Sequence, residues 1–252
     1  MMNDRLQAQG RDKVEAGQVG RVMVALDYSS ADEAKTLLNE LNGIPCYMKV
    51  GMQLFYAAGP GFVLYLKERG YKVFLDLKMH DIPNTVKGGA ESVTRLGVDM
   101  FNVHAVGGKL MMEAALEGVD KGRTGSNTVR PLVIAVTQLT STSQQMLNHE
   151  IGIAGTVEQT VLNYAGLAQK AGLDGVVASP HEVVQIKQKL GSSFVTVTPG
   201  IRPAGSAMGD QSRVMTPKEA FSQGTDYIVI GRPITAASDP RKALETILEE
   251  LI

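Results

Sequence analysis

Lys72-Val73-Phe74-Leu75-Asp76-Leu77-Lys78-Met79-His80-Asp81-Ile82-Pro83-Asn84-Thr85 begins as a short apolar run and ends in a burst of charge. A run that is apolar throughout, rather than alternating, fits a strand covered on both faces. Seven more runs of this kind flank it: Arg21–Leu26, Cys46–Val50, Met100–Val103, Leu132–Val136, Gly175–Ala178, Phe194–Thr198 and Tyr227–Ile230. Their starts lie roughly 20 to 45 residues apart, the stride of a strand, a helix and two loops. The intervening segments read as amphipathic helices. Ser30, with Glu33 three residues on, makes a capping box before Ala34–Leu41, and Gly43 follows as a stop. Gly70, Gly97, Gly172 and Gly224 each close a helical stretch just before a strand. Eight near-regular units without a Gly-rich dinucleotide turn favour a closed (β/α)₈ TIM barrel, an α/β fold of one domain, over an open doubly wound sheet.

Composition narrows the function classes. The 252 residues are 44% hydrophobic, which excludes a disordered chain. A net charge of −1, from 25 basic and 26 acidic residues with no long basic stripe, argues against nucleic acid as a partner. No apolar stretch reaches the length of a bilayer span, so no membrane association is expected. The single cysteine, Cys46, has no internal disulfide partner and sits in an apolar run, as suits a cytoplasmic protein. Residues 1–20 alternate charge, Gln and Gly without the apolar core of a secretory signal. They are expected to be a flexible N-terminal extension, with the barrel domain spanning residues 21–252.

Charges that terminate buried strands mark the place to look for chemistry. Asp27 closes the first run, Lys49 lies inside the second, and Asp76 and Lys78 close the third. In extended chain, residues i and i+2 point the same way, so Asp76 and Lys78 are expected on one face at the barrel mouth. Such charges are tolerable in a buried setting only if they compensate one another. A structural salt-bridge plug is the plain alternative, but it has no reason to gather at the C-terminal ends of strands one to three, where barrel enzymes place their sites. Two long connections, Thr137–Gly155 and Pro199–Met215, follow strands five and seven on that same side and read as lids or binding loops. Gly231-Arg232 follows strand eight and precedes another helix, a favoured position for a phosphate.

The stretch Asp76-Leu77-Lys78-Met79-His80-Asp81-Ile82-Pro83-Asn84-Thr85 resembles the signature of the orotidine 5′-phosphate decarboxylase family, Asp-x-Lys-x-x-Asp-Ile-x-x-Thr. The likeness extends from about Val22 to Leu251. It includes Val24-Ala25-Leu26-Asp27, Thr137-Gln138-Leu139-Thr140-Ser141, Thr198-Pro199-Gly200-Ile201-Arg202-Pro203 and Ile230-Gly231-Arg232-Pro233-Ile234, which are similar to the bacterial form. The resemblance implies decarboxylation of orotidine 5′-monophosphate to UMP in pyrimidine biosynthesis, with no metal and no organic cofactor. It implies that Lys78 is the proton donor to C6 and that Asp76 lies beside the substrate carboxylate. Asp27 and Lys49 would hold ribose hydroxyls and orient the charges. Asp81 would enter from the neighbouring subunit of a homodimer, with Ile82 and Thr85 beside it. Thr140 would meet the amide edge of the base and Gln211 would bridge base and phosphate. Arg232 would grip the phosphate beside Gly231, with Arg202 and Pro199 close by.

Other features read as structural. His80 is expected to be a hydrogen-bonding neighbour of the charged array and His104 a polar residue at the end of strand four. His149 and His181 fall in a loop and at a helix start, and the four histidines lack metal-ligand spacing. Gly107-Gly108-Lys109 lacks the remainder of a P-loop. Two other readings stay open. One is a metal-dependent sibling phosphosugar barrel, such as a keto-sugar phosphate decarboxylase or a pentulose-phosphate epimerase, which sensitivity to a chelator would reveal. The other is a nucleotide sensor without turnover, a class in which a charged catalytic member is usually lost.

Overall fold

The computed structural model of the protein describes residues 20–125, 129–203 and 214–251. Among them, eight parallel strands close into a barrel in sequential order. They are β1 (Val22–Ala25), β2 (Tyr47–Gly51), β3 (Lys72–Met79), β4 (Met100–His104), β5 (Leu132–Val136), β6 (Gly175–Val177), β7 (Val195–Thr198) and β8 (Tyr227–Ile230). The expected TIM barrel is what forms. The helices that matter below are α1 (Ala31–Glu40), α2 (Met52–Ala58), α3 (Pro60–Glu68), α4 (Pro83–Arg95), α5 (Gly108–Arg123), α6 (Val157–Lys170), α7 (Val183–Leu190), α8 (Pro217–Ser222) and α9 (Arg232–Thr235). No helix of the described residues is long and apolar enough to cross a membrane. Residues 1–19, most of the expected extension, lie outside the described set.

Alternation along each strand sorts side chains between two cores. Met23, Tyr47, Phe74, Met100, Ile134 and Val197 fill the lower barrel interior. Val22, Val24, Met48, Val73, Leu75, Phe101 and Val103 point outward into the larger core beneath the helices. Each such side chain taken out of water contributes about 1.5–3 kcal/mol. Cys46 lies in this outer core as a free thiol, and burial pushes its pKa up to about 12.

Helix ends follow the sequence signals with two adjustments. The first helix starts at Ala31, three residues earlier than expected, because Ser30 accepts from the Glu33 amide in the N-cap position. The Glu33 carboxylate, however, takes the Ser29 amide rather than that of Ser30, so the box is only half reciprocal. Complete boxes form at Thr156/Gln159 and Thr216/Glu219. The expected stops at Gly43, Gly70, Gly97, Gly172 and Gly224 all have positive φ. Helices α4 and α5 pack with almost no space between them. A Cβ at Gly118 would collide with the Lys87 carbonyl, and one at Gly122 would stand 2.7 Å from the Glu91 carbonyl oxygen.

The N-terminal end of the barrel is closed by a repeated device. Asp99, Asp174 and Asp226 each immediately precede an even-numbered strand, two residues after a glycine stop. Each bites a residue of the preceding strand in both directions. The Asp99 amide donates to the Val73 carbonyl at 3.0 Å while its carboxylate accepts from the Val73 amide at 2.8 Å. Asp174 does the same to Val133, at 2.9 and 2.7 Å, and Asp226 to Thr196, at 3.1 and 2.7 Å. One cation completes each clasp: Lys67, Arg130 and Lys187 respectively. Before β2 the corresponding residue is Cys46.

Candidate active site

Moving up the inner face of each strand, residue type changes two positions above the apolar layer. Met23 gives way to Ala25 and then Asp27, Tyr47 to Lys49, Phe74 to Asp76, and Met100 to Asn102. On the opposite half, Val136, Val177, Val197 and Val229 keep the interior apolar, and the polar groups come from loops. The result is a cavity of about 600 Å³ at the C-terminal mouth, within the usual range for a small-molecule site.

One wall is an alternating charge array. Lys49 Nζ lies 3.0 Å from Asp27 Oδ1 and 3.5 Å from Asp76 Oδ2, and Lys78 Nζ lies 2.8 Å from Asp76 Oδ1. Burial is steepest at the centre, where the side chains of Lys49 and Asp76 are 9% and 13% exposed. Gly51 abuts the array: a Cβ there would be 3.2 Å from Lys49 Nζ. Any larger residue at that position would crowd the cation.

The backbone beneath Asp76 and Lys78 departs from the expected extended geometry. Strand β3 does not stop at Leu75 but continues to Met79. Its register against β4 slips on the way: Leu75 pairs with Phe101 and Met79 with Val103. Three residues of β3, Asp76 to Lys78, therefore stand opposite the one residue Asn102. Lys78 takes φ 53°, the only positive φ outside glycine among the described residues, at a cost of about 1–2 kcal/mol. The two side chains do meet on the mouth side, but through a bulge that re-aims Lys78 rather than through regular i, i+2 alternation.

Sequence reasoning missed Asn102, which is 1% exposed. Its amide Nδ2 donates to Asp76 Oδ1 at 2.7 Å and its Oδ1 accepts from the Lys78 amide at 2.8 Å. The available signal was a polar residue inside the apolar run Met100–Val103. His104, at the end of β4, packs near His80, with ring centroids 5.8 Å apart. Burial chiefly, then the His80 ring and the Lys78 ammonium, hold the His104 imidazole below its ordinary pKa, while Asp76 pulls the other way.

Of the remaining expected residues, Thr140, Pro199, Arg202, Gly231 and Arg232 line the same cavity, together with Gln138, Leu139, Ser141, Gly200 and Thr235; Gly231 stands next to the array, where a Cβ would be 3.9 Å from Asp27 Oδ2. The loop after β5 also holds a π-helical turn, Met146–Glu150, which includes His149. Gln211 lies outside the described residues. Asp81, Ile82 and Thr85 do not line this cavity within one chain. All three are exposed, Ile82 at 68%, and Asp81 Oδ1 accepts the Ile82 amide at 2.7 Å. Among the described residues no group of three or more His, Cys, Asp or Glu side chains could hold a metal ion.

Known proteins resemble this chain over most of its length. Residues 20–247 match the model of the family described as "Orotidine 5'-phosphate decarboxylase / HUMPS family". The chain is 52% identical over 228 residues to orotidine 5′-phosphate decarboxylase of Geobacillus thermodenitrificans, covering 90% of this chain and 95% of the relative. Identity is also 52% to the Bacillus caldolyticus protein of the same name, covering 90% and 93%. Among solved structures, orotidine 5′-phosphate decarboxylase of Lactobacillus acidophilus superposes with a TM-score of 0.83 at 43% identity, covering 91% of this chain and 98% of that one. An uncharacterized conserved protein from Geobacillus kaustophilus gives 0.81 at 46% identity, covering 92% and 100%. A barrel with this charge array, matched across nine-tenths of its length, belongs to the orotidine 5′-phosphate decarboxylase / HUMPS family.

Proposed function

We propose that this chain decarboxylates orotidine 5′-monophosphate to UMP in pyrimidine biosynthesis, with Lys78 as the proton donor. The observation that carries this reading is the position of the Lys78 ammonium, 2.8 Å from Asp76 at the mouth of a nucleotide-sized cavity that Arg202 and Arg232 also line. The reaction breaks the bond from C6 to the carboxylate carbon. CO₂ leaves, the electron pair stays at C6, and a proton moves from Lys78 Nζ to that carbon. The neutral amine then regains a proton from solvent. The pyrimidine ring delocalises the carbanion poorly, so a cation placed against C6 acts where charge develops.

Magnitudes decide between two explanations of the rate. Repulsion between Asp76 and the leaving carboxylate, at about 4 Å and an effective dielectric near 20, supplies only about 4 kcal/mol. Enzymic rate enhancements demand up to about 20 kcal/mol. Stabilisation of the transition state by Lys78 therefore dominates. Asp27 and Lys49 would hold ribose hydroxyls, Thr140 the amide edge of the base, and Arg232, at the start of α9, the phosphate. Gln211, from the long seventh loop, would bridge base and phosphate. Phosphate binding would draw that loop over the site and exclude water.

The second half of the reading concerns assembly. Asp81, Ile82 and Thr85 would complete the site of a second copy in a homodimer. Supporting this, large exposed apolar side chains gather on the segments that follow β2, β3 and β4: Tyr56, Ile82, Val106 and Leu110. The decisive assay follows the loss of ultraviolet absorbance when orotidine 5′-monophosphate is added with a chelator present. Turnover that persists identifies the activity. Turnover that the chelator stops would point to a metal-dependent sibling, and no turnover to a binding protein.

A further inference from the structure

We infer that Asn102 is a positioning residue for the reaction, an amide that clamps the β3 bulge and so sets where the Asp76 carboxylate and the Lys78 ammonium stand. The inference rests on the decarboxylase reading above but assigns work to a residue outside the charged array. Three β3 residues face Asn102 where the regular register would place one. A bulge leaves ladder groups without their usual partners, and the Asn102 carboxamide takes up one of them, the Lys78 amide. Its Oδ1 accepts the Lys78 amide at 2.8 Å, and its Nδ2 donates to Asp76 Oδ1 at 2.7 Å, the same oxygen that receives Lys78 Nζ. The clamp thus holds the backbone of Lys78 at its unusual φ of 53° and fixes the carboxylate against which the ammonium rests. A carboxamide offers an acceptor and a donor side by side in this shape, without charge and at any pH. An aspartate would set a second carboxylate against Asp76, and a leucine would satisfy neither group. Asn102 is 1% exposed and does not line the cavity, so its effect must pass through Asp76 and Lys78.

Two variants test this, each assayed for turnover of orotidine 5′-monophosphate and for binding of UMP. Asn102→Ala should lower kcat by about 100-fold, the scale of a misplacement near 1 Å, while KM and the Kd for UMP move less than about threefold. Asn102→Asp should imitate the amide only while the introduced carboxyl carries a proton, because that form alone keeps both a donor and an acceptor. Its kcat should therefore rise as pH falls, relative to the unsubstituted protein. The charged and titratable groups around the position are Asp76 and Lys78, which Asn102 touches, Lys49 against Asp76 and Asp27 beyond it, and His104, two residues on along β4, with His80 beside it. Asn102→Ala with kcat within threefold of the parent would overturn the inference. So would an Asn102→Asp pH profile parallel to the parent's, or a loss of UMP affinity in step with kcat in both variants, the mark of a collapsed scaffold. A parent protein that turns over no substrate would instead remove the functional reading, and this inference with it.

Discussion

The two ends of the barrel use aspartate in opposite ways. At the N-terminal end, Asp99, Asp174 and Asp226 each hold a backbone amide of the neighbouring strand and one cation. Their charge is spent locally, three times over, in the same pattern. At the C-terminal end, Asp27 and Asp76 share Lys49, Asp76 also takes Lys78, and the group opens onto a cavity. Among the described residues, Asp81 bonds the Ile82 amide and no cation. Partner identity separates the roles: an aspartate that holds the amide of the neighbouring strand closes the barrel, and one that bonds cations over a cavity is poised for a substrate. Regular repetition marks the first kind and departure from regularity the second.

Substitutions at the two ends should therefore fail differently. The largest effect is expected for Lys78→Ala, which under the proposed mechanism would remove both the stabilising cation and the proton donor. Turnover should fall by at least about 10⁵-fold with the melting temperature little changed; near-normal activity would refute the assignment. Next, Asp81→Asn should reduce kcat by about 10²–10³-fold. Mixed one to one with Lys78→Ala and re-equilibrated, it should recover about a quarter of parental activity, since half the dimers become hybrids with one intact site. An inactive mixture would place Asp81 outside the partner's site.

Arg232→Ala should mainly raise KM, by about 10–100-fold, as expected for a lost charge-assisted hydrogen bond. Unchanged kinetic constants would move the phosphate elsewhere. At the closed end, Asp226→Ala should leave kcat within about twofold. It should lower the melting temperature by about 3–10 °C, because the Thr196 amide loses its acceptor. A catalytic defect without a stability defect would erase the distinction between the two ends. The smallest effect concerns His104, whose pKa is held below the ordinary 6.5 in the folded protein. Above that pH both folded and unfolded forms are neutral. As pH drops below it, the unfolded chain takes a proton that the folded one resists, so stability falls. His104→Gln should flatten the melting temperature between about pH 7 and pH 5, read by thermal unfolding.

Legibility in the sequence followed the same division. The barrel was readable because strands covered on both faces appear as unbroken apolar runs, and β5 and β8 fall where Leu132–Val136 and Tyr227–Ile230 indicate. Asp27, Lys49, Asp76 and Lys78 stood out as charges within or ending such runs. The bulge was not readable, because Asp-Leu-Lys alternates in any extended chain and only the pairing with β4 exposes the extra residues. Asn102 escaped for the same reason: its importance is a property of the strand beside it. The clasping aspartates escaped although the glycines two residues before them were recognised as stops. Gly97, Gly172 and Gly224 speak through their own backbone, whereas Asp99, Asp174 and Asp226 act on residues 26, 41 and 30 positions away.

The glycine contact between α4 and α5 reaches further than its place on the barrel wall implies. Helix α4 begins at Pro83, two residues after Asp81, so its seat on α5 sets how the Asp81 loop is presented. A methyl group added at Gly118 would lift that helix off the Lys87 carbonyl and swing the loop with it. If Asp81 serves a second subunit, as proposed, the damage would surface in the neighbour's chemistry while the altered chain's own charge array stayed in place.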